Sequence, residues 1–543
     1  MSSSEQWFTV TDFFLGEVND KGSSQAGAAT NVVEMDIFEN KDFIQAEYGM
    51  SSAFNSDISP VYDFSVNKQD DDFWAYGDTY IEIGDFDPTG TTISGIFEKR
   101  SQPINDSNTA RPNTEIAAYE TSENSSLTTF TEWVYFTSGE NGRLPTLERY
   151  NITDDDAPLT VQSDLGDTTT NEIQDPDAPV IMRIINGALY VMFANTITKI
   201  ARDGTTTHTY EELQEGFNIV GATSAGRKTD SMFVVCEPIE TTTNKSRGYW
   251  IDLVNNDVDN YLDLPYGGVQ WVENIASDVL MSFVEDNQFR VMALSQPFPG
   301  STAGRLPNIK LTNVLDTQFD VFDDSKTNGL GIKPSPSKSV HTLDGEIFFL
   351  LNKDDQPGIY SISRIGPDQN YGIRLAHKLP GSYPDQLGLA MGVYGNKKIV
   401  SYVDGYDGTA GSGSSTFAVV EPDDSNTERS NEGVYESVWF QFEEPTVDKD
   451  LKAVGVTTEP LPSNTEIRMY AAQDNESGYT QIYQADGSNM NETGTSYAEF
   501  RASSISEAKR VRFKMEIDGN GDDSPRVNAV GMLITSDNYP AHE

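Results

Sequence analysis

Asn186-Gly187-Ala188-Leu189-Tyr190-Val191-Met192-Phe193, followed by Thr196-Ile197-Thr198-Lys199-Ile200, is the stretch that decides the fold. It contains two short apolar strands joined by a polar turn, and the phrase comes back along the chain. Trp133–Thr137 precedes Leu147–Asn151, and Ser231–Glu237 precedes Tyr249–Leu253. Val279–Val284 precedes Phe289–Leu294, Glu346–Leu351 precedes Ile359–Ile365, and Lys398–Val403 precedes Thr416–Val420. Alternating apolar and polar residues mark half-buried strands. A four-stranded unit that recurs roughly every 40–50 residues marks a β-propeller.

Working outward, residues 56–430 hold the blades. The first is expected at Val61–Val66, Asp72–Tyr76, Tyr80–Ile83 and Ile93–Glu98, and with the six repeats above the count is about seven. Gln102–Pro112, Asp154–Asp175 and Thr409–Ser415 read as hairpin or inter-blade loops. Residues 1–55 form a lead-in that supplies a strand to a later blade or an arm that docks on a neighbour. From Val434 the spacing tightens. Ser437–Glu443, Lys452–Thr458, Glu466–Ala471, Thr480–Tyr483, Tyr497–Phe500, Lys509–Ile517 and Val527–Ile534 suit a compact β-sandwich over 431–543. The fold class is all-β: a propeller followed by a C-terminal sandwich.

Composition agrees with that division. A chain of 543 residues exceeds one ordinary core, but a propeller absorbs about 350–400 because each blade is its own packing layer. Forty-three Gly and 25 Pro provide for many turns, and no long stretch has a helical period with helix-type caps. The lone Cys236 has no partner for an internal disulfide, and its neighbours Val234 and Val235 point to a buried, inert thiol. The N-terminus lacks the basic and apolar regions of a secretory signal, and no segment nears the ~20 apolar residues that span a bilayer. Synthesis in a cytoplasm follows as the expectation.

Charge narrows the classes of partner. Eighty-five acidic against 37 basic residues leave a net charge of −48, spread along the chain. Such a surface repels nucleic-acid phosphates and anionic lipid, so specific DNA or RNA binding and membrane insertion are not expected. It suits a saline setting, a conduit through which DNA passes without adhering, or cation binding.

Several short segments are similar to the propeller-plus-sandwich structural proteins of tailed-virus virions, tail-hub and nozzle proteins of short-tailed phages among them. Gly16-Glu17-Val18-Asn19, then Asn31, Asp36 and Glu47-Tyr48-Gly49, resembles their lead-in, departing from it by one extra residue before Asn19 and by an acid at Glu47. Asn186 to Val191 matches their hairpin phrase. Lys452 to Thr465, and Arg510-Val511-Arg512-Phe513-Lys514-Met515-Glu516-Ile517 followed by Ser524-Pro525-Arg526-Val527, resemble their closing module. The resemblance implies a virion component of the tail or its junction with the capsid, repeated by rotational symmetry and partnered by other virion proteins and by its own copies.

The chemistry-bearing motifs are few. Asp518, Asn520 and Asp522 place oxygen ligands at alternate positions, as a Ca²⁺ loop does. The sixth position is Asp523 rather than Gly and the twelfth is Ala529, so a hairpin turn is the competing reading. Asp404 to Gly408 and Asp85 to Pro88 have the same ambiguity, and Asp70–Asp72 and Asp154–Asp156 read as solvated loop charges. His208, His341, His377 and His542 show no zinc spacing, and no P-loop, dinucleotide or G-x-S-x-G motif occurs. No catalytic residue is assigned. Propellers do host glycosidases that use paired carboxylates, so a glycan-binding or glycan-hydrolysing chain, free or as a tail-tip fibre, is the alternative to a structural role. Phe73-Trp74-Ala75-Tyr76 and Gly248-Tyr249-Trp250 are the aromatic strings that would stack on sugar or, alternatively, pack blade against blade.

Overall fold

The computed structural model describes residues 4–10, 29–38, 43–55, 61–66, 72–77, 80–85, 98–103, 109–110, 114–122, 130–139, 144–150, 159–163, 165, 178–210, 213, 216–225, 231–239, 245–255, 257–275, 278–285, 288–295, 310–317, 339–343, 345–351, 357–365, 370–380, 386–394, 397–405, 414–420, 432–440, 448–473, 478–502 and 505–536. All their regular elements are strands. Two compact units form, and neither is continuous in sequence. One contains Ser52–Pro357 with Leu379–Val419, and the other Met1–Ser51, Gly358–Lys378 and Val420–Glu543.

The first unit is a β-propeller. Blade 1 comprises Val61–Val66, Asp72–Gly77, Tyr80–Asp85 and Glu98–Pro103, and blade 2 is built on Ala117–Ser122, Phe130–Gly139, Thr146–Tyr150 and Leu159–Gln162. Blade 3 comprises Val180–Ile185, Ala188–Phe193, Thr196–Ile200 and Thr206–Tyr210, and blade 4 Phe217–Ser224, Ser231–Pro238, Arg247–Asp252 and Asp257–Asp263. Blade 5 comprises Val269–Ile275, Asp278–Glu285, Gln288–Ser295 and Lys310–Thr317, and blade 6 begins with the hairpin Val340–Leu343 and Glu346–Leu351. Blade 7 comprises Gln386–Tyr394, Lys397–Asp404 and Ser414–Val420, and its outer edge takes the early strand Ser51–Asn55. The lead-in therefore does supply a strand to the last blade.

Local chemistry shapes each hairpin. Ile185 pairs with Ala188, so Asn186 and Gly187 form a two-residue loop with φ of 52° and 70°. A type I′ turn needs positive φ at both positions, and Asn-Gly adopts it at the lowest cost. The described part of the fourth strand of blade 1 is Glu98–Pro103; of the strand expected at Ile93–Glu98, all but Glu98 lies outside the described residues. The stretch Gln102–Pro112, expected as a loop, includes the end of that strand and Thr109–Ala110, which pairs with Ser138 and Gly139.

The first strands of the seven blades touch in a closed cycle, blade 7 returning to blade 1. Each junction carries a polar clasp. Asp63 Oδ2 accepts Ile116 N at 2.7 Å and Glu115 Oε2 accepts Met182 N at 2.8 Å. Arg183 Nε donates to Ala222 O at 2.9 Å, and Thr223 Oγ1 donates to Glu273 Oε1 at 3.3 Å. Thr342 Oγ1 reaches Asn274 O, His341 Nε2 lies 2.7 Å from Met391 O, and Val61 N donates to Ser415 Oγ at 3.2 Å. Buried polar groups are tolerated because they are paired this way. Apolar packing supplies the bulk of the cohesion. Trp74, Tyr76, Val134, Phe136 and Tyr150 join blades 1 and 2, and Trp271 packs on Phe349 with centroids 5.0 Å apart.

In the second unit one sheet runs Ser4–Val10, Val527–Ser536, Lys449–Thr458, Tyr497–Arg501, antiparallel throughout. Another contains Ala29–Val33, Gly433–Ser437, Val511–Asp518, Glu466–Gln473 and Thr480–Ile482 in that order. Val454, Val456, Val530 and Met532 of the first sheet share one buried cluster with Tyr435, Ile467, Met469, Phe513 and Met515 of the second. Of the strand expected at Ser437–Glu443, residues 441–443 lie outside the described residues, and the described strand Gly433–Ser437 ends at its first position. Ser437 Oγ accepts Phe513 N at 2.9 Å, replacing a ladder bond, and Phe440 keeps only an isolated bridge to Val511.

The lead-in is locked into this unit. Ala29–Val33 also runs parallel to Asn370–Lys378. Arg374, 2% exposed, donates to Glu47 Oε2 at 2.6 Å, Met35 O at 2.5 Å and Ser361 Oγ at 3.0 Å. His377 Nδ1 lies 2.9 Å from Tyr48 O, and Lys378 pairs with Glu34. Glu47, the acid that departs from the virion-protein lead-in, is thus neutralised by a buried guanidinium. Gly358–Ile365 and Asn370–Lys378 group with this unit through these links, although the hairpin phrase counts them with the blades.

Candidate interaction surface

Two of the three Ca²⁺-loop candidates, Asp518 and Asn520, are engaged elsewhere. Asp518 holds Arg468 through bonds of 2.9 and 3.1 Å. Asn520 Oδ1 accepts the backbone N–H groups of Asp522 and Asp523 at 2.9 and 2.7 Å, and its Nδ2 donates to Ser463 O. Gly521 has φ of 98° and Asp522 is exposed, the geometry of an Asx turn. Among the described residues no group of three or more His, Cys, Asp or Glu is placed to hold a metal ion. Asp70, Asp71, Asp154–Asp156, Asp87, Pro88, Tyr406 to Gly408 and His542 lie outside the described residues. His341 and His377 serve the backbone contacts given above.

The aromatic side chains described in the two strings are interior. Trp74 and Tyr76 are buried, as are Tyr249 and Trp250, with Trp74 edge-on to Tyr150 and Trp250 edge-on to Phe233. Cys236 is fully buried, and burial pushes its thiol far above the ordinary range.

A concentrated cluster of charged and aromatic side chains, half-buried with Glu516 buried, lies on the second unit, across the sheet face opposite the shared core. Val511–Asp518 alternates core and outer residues, so Arg512, Lys514, Glu516 and Asp518 stand in one row. Neighbouring strands place Tyr470 opposite Lys514 and Arg468 opposite Glu516. The Arg512 guanidinium lies 4.5 Å from the Trp439 ring centroid and 4.7 Å from that of Tyr479, and Arg510 lies 4.8 Å from Trp439. Lys514 Nζ lies 4.2 Å from the Tyr470 ring and donates to Glu516. Cations over ring faces gain about 0.5–2 kcal/mol each.

The row divides electrostatically. At its lower end Arg468 sits among Glu432, Glu466, Glu516 and Asp518. Burial would raise Glu516, but Lys514, Tyr470 and Arg468 donate to it and hold it below the usual carboxylate range. Burial, and then the bond to Glu516, pushes Tyr470 up to about 12. The upper end differs. Arg512 has no hydrogen bond or ion pair among the described residues, and its buried Nε is unsatisfied. Among the described residues the Arg512 guanidinium is held only by ring faces, an arrangement that, in a chain of net charge −48, suits pairing with a carboxylate. The signal was present in the sequence: Lys509-Arg510-Val511-Arg512-Phe513-Lys514 packs four cations into six residues. The flanking rings of Trp439 and Tyr479 come from separate strands and were not legible beside it.

An exposed patch lies on the other sheet. Gly455 pairs with Gly531, and a Cβ at Gly455 would meet Tyr497 Oη at 3.0 Å and Trp7 Cζ3 at 3.5 Å. The two rings therefore lie over glycine backbone while remaining 48% and 52% exposed at Trp7 and Tyr497.

No protein-family profile matches the sequence, and no curated protein matches it. Solved structures of low similarity include U3-55K, at 10% identity and TM-score 0.41, covering 69% of this chain and 98% of that one. The β-propeller domain of Myceliophteria thermophila Cps50 (Swd1) is 10% identical with TM-score 0.38, covering 68% and 99%. BamB from Moraxella catarrhalis is 10% identical with TM-score 0.35, covering 71% and 93%. Likenesses this distant carry nothing about activity or partners.

Proposed function

We propose that the chain is a non-enzymatic structural component of a tailed-virus virion, in the hub, nozzle or adaptor region of the tail, acting by symmetric assembly with its own copies and other virion proteins. The observation that carries this reading is the Trp439–Arg512–Tyr479 stack. It is a preorganised cationic surface within Arg510–Ile517, the segment that resembles the closing module of such proteins. The closed propeller, stiffened by a polar clasp at every junction, suits a load-bearing part, and the acidic excess suits a conduit for DNA. Mass photometry of the full chain in low and high salt, with a sedimentation assay against virion particles, tests the reading. A closed ring of about five, six or twelve copies supports it. A monomer that also fails to sediment with particles ends it.

Trp7 and Tyr497 favour a second reading, a glycan-binding chain mounted as a tail-tip fibre. Two half-exposed rings set over glycine backbone offer apolar surface to a sugar. A glycan array without hits, or hits unaffected by Trp7→Ala with Tyr497→Ala, removes it.

A further inference from the structure

We infer that the outer face of the sheet Ser4–Val10, Val527–Ser536, Lys449–Thr458, Tyr497–Arg501 binds an uncharged glycan of two or more sugar rings, laid across Trp7 and Tyr497. The inference rests on the glycan-binding reading above and names the chemistry of the ligand and its course over the sheet.

Strand pairing builds the site. Thr9 faces Gly531, Gly531 faces Gly455 and Gly455 faces Glu499, so one row across all four strands carries side chains only at its two ends. Directly opposite residues share a face, and the next residue on that face lies two positions along. Trp7 therefore stands on one side of the glycine row at one edge of the sheet, and Tyr497 on the other side at the opposite edge. Both rings lean back over the glycines. A Cβ at Gly531 would meet Trp7 Cε3 at 3.3 Å, and one at Gly455 would have the Trp7 ring and the Tyr497 hydroxyl both within 3.5 Å. Apolar surface thus crosses the sheet obliquely over three strand intervals, about 14 Å. A pyranose has an apolar C–H face that stacks on an aromatic ring and hydroxyls around its rim that donate and accept. Exposed Thr9, Thr457, Glu499 and Arg501 set donors and acceptors beside the two rings. Two rings placed along a line take successive sugars, which favours a chain over a single sugar. Charge decides which chain. Glu499 and Arg501 stand two residues apart and offset one another, so they give an anion no net attraction to set against the −48 of the protein. Glycans bearing uronate, sialate or sulfate are repelled, and an uncharged one is not.

The test applies the full chain to an array of uncharged gluco-, manno- and galacto-oligosaccharides, their single sugars, and oligosaccharides bearing uronate, sialate or sulfate. Hits are titrated by calorimetry at low and high salt. Uncharged oligosaccharides are expected to bind, with an affinity that salt leaves unchanged. Trp7→Ala and Tyr497→Ala are each expected to weaken binding at least about fivefold. Trp7→Phe and Tyr497→Phe keep a ring at each position and are expected to retain it, which separates lost stacking from a lost fold. Circular dichroism and the inaccessibility of Cys236 verify folding of all four variants. Binding confined to the acidic glycans and weakened by the alanine variants would overturn the choice of an uncharged ligand while leaving the glycan-binding reading standing. Single sugars bound as tightly as the oligosaccharides would overturn the course across both rings, again without touching that reading. Hits that neither alanine variant weakens, or an array without hits, would end the inference and the reading together.

Discussion

Arg374 Nη1 donates to Glu47 Oε2 at 2.6 Å, across 327 residues of chain, with both side chains buried. Removing one member leaves the other charge buried and unmatched. Arg374→Met should therefore cost about 3–5 kcal/mol, and Arg374→Met with Glu47→Met distinctly less. Urea unfolding followed by tryptophan fluorescence checks both. A single substitution as mild as the double would show that the pair does not hold the lead-in.

Gly187 and Gly268 both have φ of 70°, but their surroundings differ. A Cβ at Gly187 meets nothing within 4 Å, whereas at Gly268 it would fall 2.0 Å from the Val284 carbonyl oxygen. Gly187→Ala is expected to cost about 1 kcal/mol, the conformational term alone. Gly268→Ala adds a collision with backbone and should cost about 3 kcal/mol or more. Equal shifts in the urea midpoint for the two variants would refute the contrast.

Burial pushes the Glu148 carboxyl above its ordinary 4.5, against a hydrogen bond from Ser138, and Oε2 has no partner. The native state then binds the proton more tightly than the unfolded chain. This contribution is full below the unfolded value near 4.5 and declines as pH rises through it, levelling once the native carboxyl has ionised. Glu148→Gln should flatten that decline and gain about 1 kcal/mol at pH 7, with no gain at pH 4. Denaturation at the two pH values decides it, and a loss at pH 7 would contradict the sign.

Cys236 pairs with Ile219 and Arg247 within blade 4, and its thiol is closed to solvent. An aromatic disulfide reagent should label it only at the rate at which the blade opens, and at once in denaturant. Rapid labelling of native protein would place it at the surface.

The hairpin phrase was legible because its evidence is local. The alternation over Ala188–Phe193 and the Asn186-Gly187 turn sit within a few residues of each other. What escaped is non-local. Ser51–Asn55 and Ala29–Val33 carry no mark of strands that begin or end hundreds of residues later, and nothing beside Arg374 names Glu47 as its partner. Ser437-Val438-Trp439-Phe440 alternates like a strand, but the Ser437 hydroxyl takes the Phe513 N–H, and the ladder stops there. The interaction surface was half legible, as a basic run, while its ring faces are assembled only by the sheet.

The strand Ser51–Asn55 emerges early in synthesis, and Ser414–Val420, which it borders, is made about 360 residues later. At about 5–20 residues per second the early strand waits some 20–70 s with its edge open. Until then blade 7 is unfinished and the circle cannot shut. A nascent chain stalled or cut before residue 414 would expose a bare strand edge at its beginning, the kind of edge that recruits chaperones or other unfinished chains. The closure that stiffens the finished ring thus makes its production an all-or-nothing event timed by the last blade.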